Sequence, residues 1–258
     1  MAEAYEAALV PGLIAPWAEV IASEAQIEAG MRVIDVACGS GVATRYAARL
    51  CGMSGKATGV DIDLGMIEVA RTVATSDNLP TEYHYGSASE LPFDSESFDA
   101  ALCLQGLQYF PDQPKAMAEL HRVMQPNSRL VVITWSEMQS CKGYWAMISA
   151  LERRNIDATA MRKPFALSDP VAMRALAEDA GFKRVAIRTE QRPARFPSAR
   201  CFVDAMAQGA PSSRHALAHV PTAEWSNFLS EVEDALAPWQ RDTCVEFPME
   251  CNVLEAHH

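Results

Sequence analysis

The sequence has few basic residues for its size and no long apolar run. It contains 22 Lys and Arg against 33 Asp and Glu, which gives a net charge of −11. Such a chain lacks the positive surface that binds nucleic acid or an anionic membrane. No apolar run approaches the roughly 20 residues of a membrane span, and the N-terminus lacks the basic and apolar regions of a signal peptide. We therefore expect a cytoplasmic protein with no membrane span, no nucleic acid partner and a small-molecule ligand.

Paired cysteines and metal-binding motifs are also missing. The seven cysteines are scattered, with no C-x-x-C and no Cys/His cluster at metal spacing. A chain of 258 residues that is 49% hydrophobic can bury a core without disulfide bonds. His215 and His219 would share a helix face, but no third ligand stands near them in the sequence. We predict reduced cysteines and no metal site, while the oligomeric state stays open.

A glycine-rich loop is the most informative stretch of the chain. The apolar residues 33–36 run into Ala-Cys-Gly-Ser-Gly at 37–41, and a helical pattern follows. A strand, a tight glycine loop and a helix in this order bring the backbone of an α/β sheet close to a nucleotide-like ligand. The dinucleotide fingerprint has a third glycine three residues after the second, and Thr44 stands there instead. A nucleotide (NAD(P))-dependent oxidoreductase is therefore an alternative that this position disfavours.

The spelling Asp-x-x-Cys-Gly-Ser-Gly at 35–41 resembles the first motif of class I S-adenosylmethionine-dependent methyltransferases. Leu-Pro-Phe at 91–93, Phe-Asp at 98–99 and the segment 105–112 follow in the order of that family. The pattern is similar to the small-molecule methyltransferases grouped with ubiquinone and menaquinone biosynthesis. The resemblance implies an α/β fold: a doubly wound, mostly parallel, seven-stranded Rossmann-like sheet with helices on both faces. It also implies S-adenosylmethionine as cofactor and methyl transfer to a small-molecule acceptor that the motifs do not identify.

The cofactor site is predicted from the strand ends together with this resemblance. Asp61 ends the second strand, where a carboxylate can accept hydrogen bonds from both hydroxyls of a ribose. The resemblance implies that Asp35 orients the methionine end, and that Ser87 replaces an aspartate that commonly holds the adenine amino group. The predicted cofactor-binding residues are Asp35, Ala37, Gly39, Ser40, Gly41, Asp61, Ile62, Met66, Ser87, Ala88 and Gln105.

The acceptor site is predicted at the carboxyl edge of the sheet, where ligands of open α/β sheets bind. We expect a helical cap to cover this edge and to exclude water, although its apolar side chains are equally suited to packing the cap onto the sheet. No catalytic residue is predicted, because a sulfonium methyl group is already activated and mainly needs alignment with its acceptor. The predicted substrate-binding residues are Tyr5, Gln108, Tyr109, Phe202 and Met206.

Three parts of the chain are expected. Residues 1–30 form an N-terminal helical segment interrupted at its prolines, residues 31–190 and 243–258 form the sheet, and residues 191–242 form the cap inserted before the last strand. The last two strands are predicted at 182–189 and 243–254, the second broken by Pro248. Six basic residues between 183 and 200 belong either to a solvated edge or to a carboxylate-binding site. A further alternative is a non-catalytic protein that binds S-adenosylmethionine.

Overall fold

A seven-stranded sheet forms the centre of the protein in a computed structural model that describes residues 1–258. The strands are β1 Arg32–Val36, β2 Lys56–Asp61, β3 Thr81–Tyr85, β4 Phe98–Leu104, β5 Met124–Trp135, β6 Lys183–Phe196 and β7 Val245–His257. Their order is β3-β2-β1-β4-β5-β7-β6. Strands β1 to β5 are parallel, whereas β7 runs antiparallel to both of its neighbours. From β1 the chain adds β2 and β3 on one side of the sheet and then β4 and β5 on the other. This change of side between β1 and β4 creates the crevice where such sheets bind ligands.

Helices cover both faces of this sheet. They are α1 Ala2–Ala4, α2 Ala15–Glu24, α3 Val42–Cys51, α4 Leu64–Asp77, α5 Gln113–Val123, α6 Lys142–Glu152, α7 Thr159–Arg162, α8 Pro170–Asp179, α9 Ala199–Gly209, α10 Pro211–Leu217 and α11 Trp225–Leu236. Two separate hydrophobic clusters, of 52 and 20 buried residues, lie on opposite faces. Val131 and Ile133 belong to the larger cluster and Val132 to the smaller, because successive strand residues point to opposite faces. The predicted doubly wound α/β fold is confirmed.

The N-terminal segment is one continuous helical run rather than helices interrupted at prolines. Between α1 and α2 the residues Tyr5–Ile14 form a π-helix, in which the Ala15 N–H donates to the Val10 carbonyl five residues earlier. Pro11 lies inside this segment. The wider π-helical turn accommodates a residue that has no N–H to donate, and such turns are frequent at functional sites.

The same helical run, Ala2–Glu24, is long and apolar enough to cross a membrane by length and composition alone, which does not contradict the expectation of no membrane span. In this fold, however, 56% of its most apolar window is buried inside the protein. Trp17 is 1% exposed and meets Trp135 of β5 edge to face, with 6.1 Å between ring centroids. A side chain at Gly12 would collide with the Arg195 carbonyl, because the helix lies directly against β6.

The β6–β7 hairpin is longer than predicted. Strand β6 continues to Phe196, and β7 is not broken at Pro248, which lies opposite Pro193 in the hairpin. Before Cys251, β7 is paired with β6 alone, so a missing N–H on its other side removes no ladder hydrogen bond. After β6 the chain forms the cap helices α9, α10 and α11.

Candidate active site

A cavity of about 710 Å³ opens at the carboxyl ends of β1, β2 and β4, beneath the π-helix and the cap. Eleven of the predicted site residues line it: Tyr5, Asp35, Ala37, Gly39, Asp61, Ile62, Met66, Ser87, Ala88, Gln105 and Tyr109. Of the 34 residues that line the cavity, 19 are hydrophobic. The cavity therefore has the mixed character of a small-molecule site, apolar walls with a few polar groups.

The glycine loop between β1 and α3 adopts the backbone conformation expected from its residues. Gly41 has a φ of 82°, and a side chain there would lie 2.6 Å from the Tyr83 hydroxyl. Gly39 has a φ of 54° and open space beside it, whereas Ala37 adopts a φ of 60° in spite of its side chain. Positive φ at a non-glycine residue is uncommon and tends to occur at functional sites. Ser40 and Gly41 do not line the cavity, so they shape the loop from behind.

Asp61 is held at the end of β2 by two backbone hydrogen bonds. Its Oδ2 accepts from the Gly39 N–H and its Oδ1 from the Asp63 N–H, both at 2.8 Å. Asp63 caps α4, because its Oδ1 accepts from the N–H groups of Gly65 and Met66. Asp61 is therefore not the helix cap, and each of its oxygens keeps a lone pair that can face the cavity. Burial raises the pKa of the Asp61 carboxyl.

Asp35 is the most deeply buried acid of the site, with 1% of its surface exposed. Its Oδ2 accepts a hydrogen bond of 2.6 Å from the Thr44 hydroxyl, and its Oδ1 has no partner. Burial raises the pKa of Asp35 to about 7, the Thr44 hydrogen bonds oppose that rise, and the nearby charge of Asp61 adds to it. An unpartnered buried carboxylate oxygen at a cavity wall fits a ligand that brings a cationic N–H donor.

Arg45 connects the glycine loop to the N-terminal π-helix. Its guanidinium donates to the Ser40 carbonyl and to Glu6 Oε1, both at 2.6 Å, and Arg45 is only 6% exposed. The loop and the π-helix above it are thus joined by one buried cation. Sequence reasoning missed Glu6 and Arg45, because the two residues are 39 positions apart and belong to no motif.

The wall on the β2 and β3 side combines apolar side chains with Ser87 and Ser89. Ile62 is 67% exposed and lines the cavity, so its apolar surface is open to a ligand there. Across the opening, the Ser87 hydroxyl accepts from the Ser89 N–H at 3.2 Å. Together with Met66 and Ala88 these side chains form a slot of the kind that holds a planar base between apolar surfaces.

Gln105, at the end of β4, sits in a small hydrogen-bond network. It has a φ of 56°, and its Oε1 accepts from the Trp135 N–H at 3.2 Å and from Gln108 Nε2 at 2.8 Å. Its Nε2 donates to the Cys251 sulfur at 3.2 Å. Gln108 is 5% exposed and lies behind Gln105, outside the cavity lining. The prediction that Gln108 contacts substrate is therefore corrected: Gln108 positions Gln105.

Phe202 and Met206 do not reach the cavity either. Both side chains have no exposed surface and belong to the larger hydrophobic cluster. The Phe202 ring packs against those of Phe196 and Phe247, with centroids 5.1 and 4.8 Å apart. Their periodicity on α9 came from packing of the cap onto the hairpin, and the prediction of substrate contact was wrong.

The basic cluster between 183 and 200 is an edge rather than a ligand site. Arg188 pairs with Glu24, Glu190 and Glu255, and Arg192 also pairs with Glu190. None of the six basic residues lines the cavity. No group of three or more His, Cys, Asp or Glu side chains is arranged to hold a metal ion.

Several cavity residues come from parts of the chain that carry no motif. The side of the cavity away from the glycine loop is lined by Tyr144 of α6, Lys163 directly after α7, and His215 of α10. Nothing in the sequence marked Tyr144 or Lys163, and His215 was noted only as a possible neighbour of His219. Their positions depend on how α6, α7 and α10 pack, which local periodicity does not predict.

Known proteins resemble this chain mainly over the motif-bearing half. Residues 34–132 match the family model described as a methyltransferase domain. Demethylmenaquinone methyltransferase of Staphylococcus aureus is 32% identical over 122 residues, 47% of this chain and 50% of that protein. The ubiquinone/menaquinone biosynthesis C-methyltransferase UbiE of Hahella chejuensis is 34% identical over 125 residues, 47% of this chain and 49% of that protein. The chain spans about half the length of the curated relatives it matches.

The fold likeness extends over nearly the whole chain. The crystal structure of the YcgJ protein from Bacillus subtilis superimposes with a TM-score of 0.61 at 18% identity, covering 93% of this chain and 97% of that one. The sheet order and the cavity at its carboxyl edge agree with this likeness, and residues 34–132 match a methyltransferase domain. Over this part of the chain the likeness is to UbiE and demethylmenaquinone methyltransferases, the similarity that the motifs predicted.

Proposed function

We propose that this protein transfers a methyl group from S-adenosylmethionine to a small-molecule acceptor in the cytoplasm. The observation that carries the proposal is the unpartnered Oδ1 of Asp35 at a cavity end whose charged residues are Asp35, Asp61 and Asp63. S-adenosylmethionine brings a sulfonium and an ammonium cation to that end. The pyrophosphate of a dinucleotide would instead place negative charge against three carboxylates, which is unfavourable.

The residues of this end fit the cofactor part by part. Asp35 Oδ1 is suited to the amino group, and Asp61, with a free lone pair on each oxygen, to the ribose diol. Ile62 is suited to one face of the adenine and the Ser87 hydroxyl to its amino group. The open space beside Gly39 lets the backbone approach the ligand. The bound cofactor supplies an activated methyl group, and the chain supplies alignment and exclusion of water.

The acceptor is placed at the opposite end of the cavity. Tyr5 of the π-helix and Tyr109 after β4 face this space, and the cap contributes His215. In this division of labour, the sheet of residues 31–190 and 243–258 binds the cofactor. The segment 191–242 helps to enclose the acceptor.

Calorimetry with S-adenosylhomocysteine, with NADH as the comparison ligand, tests the cofactor assignment. We expect S-adenosylhomocysteine to bind one site per chain and NADH to show no binding. Absence of S-adenosylhomocysteine binding at millimolar concentration contradicts the proposal, and NADH binding favours the oxidoreductase. Methyl-labelled S-adenosylmethionine with a panel of small acceptors separates catalysis from binding alone. A protein that binds the cofactor and labels no acceptor is the non-catalytic alternative.

A further inference from the structure

The charged side chains that line the cavity are separated by sign. All of its acids, Asp35, Asp61 and Asp63, stand at the ends of β1 and β2. Its only basic residues, Lys163 and His215, stand on helical elements at the other end. In a chain with a net charge of −11, a cavity end with a cation and no acid is not the expected surface. The separation points to two ligands of different charge.

The basic end is built by elements that pack on one another. The short turn Lys163–Phe165 packs against the turn Leu107–Tyr109, which follows β4. Helix α10, which carries His215, packs against α7, the helix that leads directly to Lys163. Lys163 and His215 therefore flank the same part of the cavity as Tyr109, beyond the end of β4 and away from the glycine loop.

Lys163 has no anionic partner in the chain. Its neighbour Arg162 pairs with Glu152, whereas the Lys163 ammonium makes no ion pair and no hydrogen bond. His215 differs, because Asp157 lies near it. Hydrogen bonds from Thr159 and the proximity of His215 and His219 lower the pKa of that carboxyl. Lys163 is therefore the cation of this cavity whose charge is left uncompensated.

Three tyrosine hydroxyls add hydrogen-bond donors to the cavity. Tyr5, Tyr109 and Tyr144 all line the cavity, and none of their hydroxyls has a hydrogen-bond partner in the chain. The Tyr109 residue is 52% exposed. Burial raises the pKa of all three phenols, and the nearby Tyr109 raises the pKa of Tyr5 and Tyr144 further. They remain protonated donors across the ordinary pH range.

We propose that the methyl acceptor is an anion, a small and partly apolar molecule whose carboxylate or phosphate group pairs with Lys163. The tyrosine hydroxyls donate hydrogen bonds to its other oxygens, and the apolar majority of the lining residues contacts its body. This inference rests on the proposed function, because it takes the acidic end of the cavity to be filled by the cofactor. It adds the charge of the acceptor, which neither the motifs nor the family likeness supplies.

Calorimetry with three aromatic probes tests the charge preference in protein saturated with S-adenosylhomocysteine. The probes are 4-hydroxybenzoate, phenyl phosphate and the neutral 4-hydroxybenzamide. We expect at least one anionic probe to bind more tightly than the amide, and added salt to weaken that binding. Lys163→Met should lower the affinity for the anion about threefold to tenfold, the range for a solvent-accessible ion pair, and leave the amide unchanged. The anion that binds more tightly shows whether the acceptor carries a carboxylate or a phosphate group.

Two variants serve as controls. Lys163→Arg keeps the charge and should keep the preference for the anion. Lys142→Met removes an ammonium that bonds to the Gln139 carbonyl outside the cavity, and it should have no effect. Equal binding of anion and amide, binding of none of the probes, or an unchanged preference in Lys163→Met overturns the inference. The same titrations without S-adenosylhomocysteine decide the charge preference even where that ligand fails to bind, so the two proposals fail separately.

Discussion

Asp35 and Asp61 end neighbouring strands of the sheet but differ in what holds them. Asp61 is fixed by two backbone N–H groups and lies partly open to the cavity, whereas Asp35 is fully enclosed and has one free oxygen. Both could be predicted from the sequence, because an acid at the end of a parallel strand has a defined place at the carboxyl edge.

Replacing Asp61 tests the residue with the most specific predicted role. Asp61→Ala should weaken S-adenosylhomocysteine binding by about 2 to 4 kcal/mol, because two hydrogen bonds to a charged acceptor are lost. The substitution also frees the N–H groups of Gly39 and Asp63, so thermal unfolding must show that the variant folds. Asp94 is exposed and lies outside the cavity, so Asp94→Ala is the matched control. Unchanged affinity in a folded Asp61→Ala protein would remove this residue from the site.

The burial of Asp35 predicts a pH dependence of stability. An aspartate in the unfolded chain has a pKa of about 3.9, whereas burial raises that of Asp35 to about 7 in the folded protein. The folded protein therefore holds an extra proton between these values. The free energy of unfolding should fall as pH rises from about 4 to about 7.

Cofactor affinity should change in the opposite direction, because the cofactor ammonium favours the ionised Asp35. Calorimetry at about pH 5.5 and about pH 8.5 should show tighter S-adenosylhomocysteine binding at the higher pH. Asp35→Asn, which cannot ionise, should flatten both dependences. A wild-type profile that the Asn variant reproduces would assign the titration to another group.

At the scale of single elements, the N-terminal π-helix depends on one buried ion pair. Arg45→Ala should lower the free energy of unfolding by about 2 to 4 kcal/mol, because Glu6 and the Ser40 carbonyl lose their partner in a mostly enclosed site. Arg49→Ala, on the same helix α3, breaks a pair with Asp77 whose side chains are 49% and 34% exposed. Its effect should stay below about 1 kcal/mol.

Hydrogen exchange distinguishes the two variants further. Amides of the π-helix should exchange faster in Arg45→Ala and at the wild-type rate in Arg49→Ala. S-adenosylhomocysteine affinity should fall in Arg45→Ala alone, since this side chain holds the loop through the Ser40 carbonyl. Equal behaviour of the two variants would mean that the pair does not fasten the helix to the loop.

The elements differ in how far the sequence predicts them. Strands β1 and β2 end where the sequence analysis expects, at Val36 and Asp61, because alternation of buried strands with helices leaves little freedom. Strand β6 was predicted to end seven residues early. Its residues 190–195 are mostly charged or exposed, and a strand paired at the sheet edge shows no apolar alternation there. Pro193 and Pro248 also favoured the prediction that these strands are interrupted, although the two prolines lie opposite each other in the β6–β7 pair.

At the scale of the whole molecule, the cofactor half carries the motifs and the acceptor half carries none. Ala88 lines the cavity beside Ser87, and Ala160 lines it on α7 near Lys163. Ala88→Phe should fill the adenine slot and weaken S-adenosylhomocysteine binding more than about tenfold. Ala160→Phe should keep that affinity within about tenfold and weaken binding of the aromatic probes. The reverse pattern would contradict the division of labour.

Removing the cap as a unit is not an equivalent test. Residues 191–196 belong to β6, and a side chain at Gly209 would press on the backbone of Tyr5 and the side chain of Leu9. The cap therefore also supports the π-helix that carries Tyr5 and Leu9. This double role could not be predicted, because Phe202 and Met206 show the same periodicity whether they face a ligand or the core.

The crystal structure of the complex with S-adenosylhomocysteine tests the central claim most directly. We expect the ribose hydroxyls on Asp61, the amino group on Asp35 Oδ1, and the adenine between Ile62 and the Ser87–Ala88 backbone. The sulfur should point toward Tyr5, with the Lys163 end of the cavity free for the acceptor. A ligand bound elsewhere, or with its amino group toward Lys163 and its adenine toward the glycine loop, would contradict the assignment of the two ends.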